Sequence, residues 1–287
     1  MAWLLLSILT NSALLLILKG FTRFGVNTLQ GIVVNYLTAG SLGLFLGGMP
    51  VSFSSALQTN WIWIPPVLGM LFISVFFLIA RTAQTMGVSV ATVANKMSVV
   101  MPVAAALVFY HEHFSAIQVI GMVLTLVAVY LTAMPAKNEG PKAKNNFWLP
   151  ALVFIGSGII DSLVNEAKHK VSDEQLSFFI SLCFLSAFVI GISIVTGRIV
   201  IKKEKLTGKS ILAGILLGIP NYFSIYGIAK ALGSNFLPGS ALYPLNNMGI
   251  VLASAAGAFF LFREKISIPN WIGIALSVGA ISLIAFG

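Results

Sequence analysis

The chain has 287 residues, of which 58% are hydrophobic and only 9% are charged, and its formal net charge is +9. A soluble domain carries about 25% charged residues, so this composition excludes a water-facing globular protein and indicates a surface in contact with a lipid bilayer. The basic residues lie scattered in short segments between apolar runs, which is typical of residues that fix membrane orientation and argues against nucleic acid as a partner.

Ten apolar runs predict ten membrane-spanning helices, because about 20 mostly apolar residues cross the hydrocarbon core of a bilayer. In chain order, the predicted helices cover residues 2–18, 28–46, 63–82, 89–110, 115–134, 147–165, 176–196, 210–230, 238–262 and 267–286. A membrane β-barrel would instead show weakly alternating segments of about 10 residues. The predicted fold class is therefore an all-α membrane protein, which we expect in the plasma membrane.

A polar segment divides the chain near its middle. Residues 135–146 contain two prolines, one glycine and three lysines, a composition typical of a linker. The predicted organisation is therefore a first five-helix repeat at 1–134, the polar linker, and a second five-helix repeat at 147–287.

The two halves of the chain match each other. When residues 95–133 are placed on residues 247–285, an offset of 152, twelve of the 39 positions are identical, among them Asn95 with Asn247. Because each half has an odd number of helices, the second copy would enter the membrane from the opposite face. The sequence therefore predicts two inverted repeats, a plan common in secondary transporters, in which a site between the halves opens to one side and then to the other.

The stretches that follow helices 4 and 9 share a motif. Residues 109–121 are Phe-Tyr-His-Glu-His-Phe-Ser, five further residues and Gly, and residues 261–273 are Leu-Phe-Arg-Glu-Lys-Ile-Ser, five further residues and Gly. With the five-plus-five plan, this motif resembles the ten-helix EamA-type branch of the drug/metabolite transporter superfamily, although that family usually has Gly before the Glu. The resemblance implies transport of small metabolites, amino acids, sugars, nucleotide-sugars or drugs.

The orientation of the chain stays open at the level of sequence. Loops after odd-numbered helices hold thirteen Lys and Arg residues, and the loops on the other side hold three. The positive-inside rule then places the odd loops in the cytoplasm and both termini outside. The family resemblance implies the reverse, with both termini inside.

Helix 4 carries Thr92, Asn95 and Lys96 on one face, at spacings of three and four residues. A charge at membrane depth costs at least about 2.5 kcal/mol on insertion scales, so Lys96 needs a partner, an aqueous cavity or a function. We predict that these residues line a substrate site in which Lys96 grips a carboxylate or phosphate. The alternatives are a structural ion pair with Asp161 and a lysine whose side chain extends to the membrane interface. Ala94-Asn95-Lys96 is also similar to the end of the Gly-Ala-Leu-Asn-Lys motif of nucleotide-sugar transporters, whose Lys meets the substrate's phosphates.

Helix 9 carries a second polar stripe, formed by Tyr243, Asn246 and Asn247. Amide side chains offer both donors and acceptors to a polar substrate, so we predict that this stripe also lines the site. The alternative is hydrogen bonding between helices, worth about 0.6–2 kcal/mol for each bond.

Three further helices carry candidate residues. On helix 6, Asp161 and Asn165 are spaced by four, and Asp161 is predicted either to carry a proton for coupling or to form a fixed ion pair with Lys96 or Lys19. On helices 1 and 8 the candidates for substrate binding are Asn11, Tyr222 and Tyr226, with side-chain packing as the alternative for the two tyrosines.

Metal and cofactor chemistry is not expected. The His-Glu-His sequence at residues 111–113 has the wrong spacing for one helix face and no supporting ligands, and the single cysteine, Cys183, excludes an intramolecular disulfide and a Cys-rich metal site. No P-loop pattern is present. Ser115 and Gln118 have the spacing of a capping box at a helix start.

The function predicted from the sequence is secondary active transport of a small polar metabolite, anionic or zwitterionic, by alternating access. One alternative is a proton-coupled exporter of cationic drugs that uses Asp161. Alternatives from other classes are a non-transporting membrane sensor and an intramembrane enzyme, although no nucleophile and base cluster and we expect no enzyme. Small residues on helix 10 would permit a homodimer; they are Ala275, Ser277, Gly279 and Ala280.

Overall fold

The computed structural model describes residues 1–47, 58–101, 115–134, 148–168, 170–234 and 239–286. The described residues form ten helices, in agreement with the ten predicted. They are α1 (Ala2–Arg23), α2 (Thr28–Gly47), α3 (Ile64–Thr85), α4 (Val88–Met97), α5 (Ala116–Ala133), α6 (Trp148–Lys168), α7 (Asp173–Lys202), α8 (Gly208–Gly233), α9 (Gly239–Phe262) and α10 (Ile268–Phe286).

Eight of these helices are long and apolar enough to cross a bilayer. The exceptions are α10, whose apolar part Ile268–Ile284 is slightly shorter, and α4, which has ten residues in the described part of the chain. The remainder of predicted helix 4, residues 102–110, lies outside the described residues. The protein is therefore a multi-pass integral membrane protein.

The helix boundaries follow from local chemistry. α5 begins with the predicted capping box: the Ser115 side chain accepts from the Gln118 backbone N–H, and the Gln118 side chain accepts from the Ser115 N–H. α7 extends to Lys202, six residues beyond the prediction, and ends where Lys203 takes a left-handed conformation with φ of 53°. The extension carries Arg198 and Lys202 among apolar residues, and the predicted apolar run stops before the first of these charges.

The contacts divide the chain into two compact units. Unit 1 comprises Met1–Gly20, Leu78–Ile159 and Phe223–Gly287, and unit 2 comprises Phe21–Phe77 and Ile160–Tyr222. Each unit contains helices from both predicted halves. The predicted linker at 135–146 lies outside the described residues, and the division into halves stays a prediction.

In unit 2, α2 and α7 pack closely and run antiparallel. Residue numbers rise along α2 while they fall along α7 in the successive contacts of Gly40 with Leu185, Gly43 with Ser181 and Gly47 with Ser177. A Cβ atom at any of these glycines would overlap its neighbour. Small residues thus allow the close approach of two membrane helices.

In unit 1, α5 and α10 pack antiparallel through two reciprocal contacts. Gly121 of α5 lies against the backbone carbonyl of Ala280, and Gly273 of α10 lies against the backbone carbonyl of Ala128. Both the two glycines and the two alanines are separated by the offset of 152 found in the sequence. Each contact therefore joins the same two repeat positions, with the glycine taken from one matched segment and the alanine from the other.

Unit 1 also holds α1 between α8 and α9. The Ser7 hydroxyl donates to the Ser224 carbonyl at 2.9 Å, and the Ser12 hydroxyl donates to the Ile250 carbonyl at 3.4 Å. Against α9, Ile8 lies on Gly249, and eight residues later Leu16 lies on Gly257, so these two helices run parallel.

Candidate functional site

The site that the sequence predicts on helix 4 begins with an unusual helix start. Gly87 precedes α4 with φ of 111°, a conformation that L side chains rarely adopt. α4 has no cap from its own neighbouring side chains. Instead the Glu264 carboxylate accepts from the Val88 N–H, at 3.0 Å through Oε1 and 3.2 Å through Oε2. A negative group at a helix N-terminus is favoured by the helix dipole and by the unpaired N–H groups there.

The same carboxylate binds the end of α1. Lys19 Nζ lies 3.3 Å from Glu264 Oε1, with only 20% and 14% of the two side chains exposed. Lys19 Nζ also lies 3.5 Å from the Gln84 carbonyl, and the Gln84 side chain donates to the Leu18 carbonyl at 2.9 Å. Glu264 therefore joins the ends of α1 and α9 to the start of α4, and Lys19 pairs with this residue.

Two side chains of α4 stand apart from the others. Eight of its ten residues are buried, and only Asn95 and Lys96 are partly exposed. Thr92, predicted on the same face, is fully buried, and its hydroxyl donates to the Val88 carbonyl at 2.8 Å. Of the three predicted residues on this helix, the amide and the ammonium group are accessible, and the threonine hydroxyl is bonded within the helix.

α4 ends immediately after these two residues. Ser98 and Val99 form a turn, and Val100 and Met101 are helical again, with the Met101 N–H bonded to the Ser98 carbonyl at 2.8 Å. Interrupted helices that carry polar groups at mid-span are a feature of transporter binding sites. Lys96 thus lies two residues before the turn that ends α4.

Asn95 is held by a residue of α6. Its side-chain amide donates to the Ser157 hydroxyl at 2.8 Å, and Ser157 is 3% exposed. Beside this contact, Gly158 lies against Met101. The bond orients the amide of Asn95 while the residue keeps part of its surface accessible.

The predicted residues of α9 differ in burial. Asn246 is 7% exposed, and its Oδ1 atom is buried without a hydrogen-bond partner among the described residues. Asn247 is partly exposed, and Tyr243 is 37% exposed. An unpaired buried polar atom costs about 1–3 kcal/mol, so the position of Asn246 Oδ1 is unfavourable for stability alone.

The packing of α4 on α9 shows which polar residues of α9 face the helix that carries Asn95 and Lys96. Val93 and Met97 belong to one core cluster with Val251 and Ala255. Asn247 precedes Val251 by four residues, so Asn247 lies on the face of α9 that packs toward α4. Asn246 instead precedes Ile250 by four residues and shares the face that meets α1.

Asn11 of α1 and Tyr226 of α8 lie in the part of unit 1 where these two helices meet. Asn11 is partly exposed and lies one helical turn after Ser7, the residue whose hydroxyl donates to α8. Tyr226 stacks edge-on against Trp3 with ring centroids 5.8 Å apart, and Lys230 Nζ lies 5.5 Å above the Tyr226 ring. Tyr226 is thus engaged by an aromatic and a cationic side chain.

Three predicted residues belong to unit 2. Asp161 and Asn165 are exposed on α6, and Tyr222 is 5% exposed, with its ring against Gly43 of α2. Tyr222 is therefore part of the packed interior of unit 2.

Two polar features escaped the sequence analysis. In unit 2, the Asn221 side chain donates to Asn35 Oδ1 at 3.0 Å; Asn35 is fully buried, and its Nδ2 atom has no partner among the described residues. The available signal was Asn35 itself, one of two amide side chains in the apolar run 28–46. The second feature is Glu264, which the sequence analysis treated only as part of a motif, because its partners are distant in the chain.

Metal ligands do not cluster in the described ranges. No group of three His, Cys, Asp or Glu side chains there could hold a metal ion. The His-Glu-His sequence at 111–113 lies outside the described residues.

Comparison with known proteins gives a distant likeness. No protein-family model matches the chain. An "Uncharacterized protein" of Haemophilus influenzae is 28% identical over 286 residues, which cover 97% of this chain and 95% of that protein. One crystal structure is similar with a TM-score of 0.59 and 15% identity, covering 97% of this chain and 96% of that chain, which supports the fold alone.

A shorter likeness concerns a protein with a named activity. Over 52 residues, 18% of this chain, the sequence is 35% identical to the probable 4-amino-4-deoxy-L-arabinose-phosphoundecaprenol flippase subunit ArnE of Hamiltonella defensa. The matched stretch covers 46% of that protein. With the eight candidate membrane spans, this likeness suggests a transporter.

Proposed function

We propose that the protein is a secondary transporter that moves a small polar metabolite, anionic or zwitterionic, across the membrane by alternating access. The binding residues in this proposal are Asn95, Lys96, Asn246 and Asn247, with Asn11, Tyr226 and Tyr243 at the margin. Energy would come from a gradient, with Asp161 as the candidate residue for proton coupling.

The observation that carries the proposal is the exposure pattern of α4. In a helix otherwise buried, the accessible side chains are an amide and an ammonium group, at the point where the helix is interrupted. If these two positions had only a structural role, apolar side chains would be expected there, because a charge within the membrane is costly. An ammonium group beside an amide suits a carboxylate or phosphate oxygen.

Two further observations support the proposal. The reciprocal contacts of Gly121 with Ala280 and of Gly273 with Ala128 agree with an inverted repeat, the plan that gives two equivalent, oppositely directed conformations. The flippase subunit named above has, by its name, a phosphate-bearing substrate, which agrees with an anion at Lys96.

Ligand binding and flux test the proposal separately. Purified protein is heated with panels of anionic, zwitterionic and cationic metabolites, and compounds that raise the unfolding temperature are then tested for flux into proteoliposomes. We expect anionic or zwitterionic compounds to stabilise the wild type and to lose about 10- to 100-fold in affinity for Lys96→Gln, the range for a charge-assisted hydrogen bond.

The matched control is Lys209→Gln, which removes an exposed cation near the start of α8 and should leave the affinity unchanged. Stabilisation by lipophilic cations only, retained in Lys96→Gln and lost in Asp161→Asn, would favour the drug-exporter alternative, in which exposed Asp161 is the binding residue. Tight binding without flux would favour the sensor.

A further inference from the structure

A cavity of about 530 Å³ lies at the connection between α9 and α10, wholly within unit 1. Its walls combine apolar and charged side chains: Phe259, Phe260, Arg263, Glu264, Lys265 and Ile266. The cavity lies directly after the candidate membrane span Leu242–Phe262, so it opens where the hydrocarbon core gives way to the headgroup region.

The connection that forms this cavity has a fixed shape. Arg263 takes a left-handed conformation with φ of 50°, and the Glu264 N–H then donates back to the Ala258 carbonyl at 3.2 Å. At the other end, Ser267 caps α10 through mutual hydrogen bonds with Asn270. The side chain of Glu264, bonded to Val88 and Lys19, anchors the middle of the connection.

The charge of the cavity follows from those contacts. The carboxylate of Glu264 is already compensated by Lys19. Arg263 and Lys265 are exposed, and within the described part of the chain neither forms an ion pair. The cavity therefore presents two exposed cations on a connection of five residues.

The apolar part of the cavity is formed by two exposed phenylalanine rings. Phe260 and Phe259 are 76% and 49% exposed, with ring centroids 5.2 Å apart. They belong to the last turn of the membrane span, so the rings lie on the hydrocarbon side and the cations on the headgroup side. This order of apolar surface and cation matches an amphiphile that carries a phosphate at the membrane surface.

We propose that this cavity binds an anionic phospholipid, with its phosphate held by Arg263 and Lys265 and the start of its acyl chains on Phe259 and Phe260. The site is separate from the transport residues of α4 and does not depend on transport. Bound lipid would secure the connection whose Glu264 fixes the start of α4.

Native mass spectrometry of the detergent-solubilised full chain, titrated with phosphatidylglycerol, tests this site. We expect Arg263→Gln/Lys265→Gln to weaken the tightest lipid adduct by about thirtyfold, since each basic side chain near an anionic surface contributes roughly fivefold. Lys202→Gln/Lys203→Gln, which removes two exposed charges from the end of α7, should change it less than twofold. If the double variant does not fold, each single variant should weaken binding about fivefold.

Three results would overturn the proposal. One is phosphatidylglycerol binding of wild-type strength in the double variant. Another is equal binding of phosphatidylcholine. The third is displacement of the lipid by glycerol 3-phosphate at equal concentration, which would make the cavity a site for a soluble phosphate.

Discussion

The side-chain amide of Asn270 donates to the backbone carbonyl of Thr132 at 2.7 Å, joining the start of α10 to the end of α5. The same nitrogen reaches the carbonyls of Met134 at 3.1 Å and Leu131 at 3.2 Å. Gln118, 152 residues earlier, caps α5 and donates to the Ile284 carbonyl at 3.5 Å, near the end of α10. Each amide thus caps its own helix and satisfies a carbonyl at the end of the other.

The first prediction concerns the reciprocal glycines. Gly121→Ala and Gly273→Ala should each destabilise the protein by about 1–3 kcal/mol, because the added methyl group meets a backbone carbonyl. Gly279→Ala on α10 has open space around its Cβ and should be neutral or stabilising. Thermal unfolding in detergent measures all three. Clearly unequal losses for Gly121 and Gly273 would argue against equivalent halves.

The second prediction concerns Glu264. Glu264→Ala should lower the free energy of unfolding by about 3–5 kcal/mol, since it leaves the half-buried Lys19 without its partner and the Val88 N–H uncapped. Glu264→Gln keeps an acceptor for Val88 and should cost less. Glu204→Gln is the matched control: its pair with Arg198, at 3.8 Å, is largely solvated and should contribute about 0–1 kcal/mol. An effect no larger than this control would contradict a structural role for Glu264.

The third prediction concerns Asn246 of α9, whose buried Oδ1 atom has no hydrogen-bond partner among the described residues. Asn246→Leu should preserve or raise stability, by about 1–2 kcal/mol, because it removes a buried oxygen for which the described part of the chain offers no donor. It should also abolish ligand-induced stabilisation if Asn246 serves the substrate. Unfolding temperatures with and without ligand separate the two effects. A variant that is less stable and still binds would assign Asn246 a purely structural role.

The fourth prediction concerns the buried amide pair of unit 2. A double-mutant cycle with Asn35→Ala and Asn221→Ala should give a coupling free energy of about 0.6–2 kcal/mol, the range for hydrogen bonds between membrane helices. Asn165→Ala, at an exposed site on α6, is the control and should leave the free energy of unfolding nearly unchanged. Additive losses from Asn35 and Asn221 would mean that their contact contributes nothing.

The fifth prediction concerns orientation. In a Cys183→Ala background, Ser234→Cys and Lys265→Cys place single thiols beyond opposite ends of α9, and a membrane-impermeant thiol reagent should reach them from opposite sides. The positive-inside rule predicts that Lys265→Cys is labelled from the cytoplasm. Labelling from the other side would favour the orientation that the family resemblance implies. Labelling of both thiols from one side would contradict a spanning α9.

Most of the fold could be predicted from the sequence because run length and hydropathy determine membrane helices directly. The boundaries at Trp148 and Ile268 were predicted within one residue. The end of α7 at Lys202 was not, since the helix continues past Arg198, a charge that ends the apolar run in the sequence.

The candidate site could be predicted only as a set of residue types. Asn95 and Lys96 stand out as polar groups in an apolar run, and the structure leaves them accessible. The burial of Thr92 and Tyr222 depends on neighbouring helices, which periodicity does not specify. Glu264 caps Val88 from 176 residues away, a relationship that no local pattern contains.

Two contacts in which a side chain of α1 packs on a glycine of α9 limit how these helices can move. Ile8 on Gly249 and Leu16 on Gly257 are each eight residues apart along their own helix, about 12 Å of rise, so both side chains are seated at the same time. Sliding one helix along the other would unseat both together. The two helices should therefore move together as one rigid body. Any hinge in unit 1 should then lie outside the segment over which α1 and α9 are in contact.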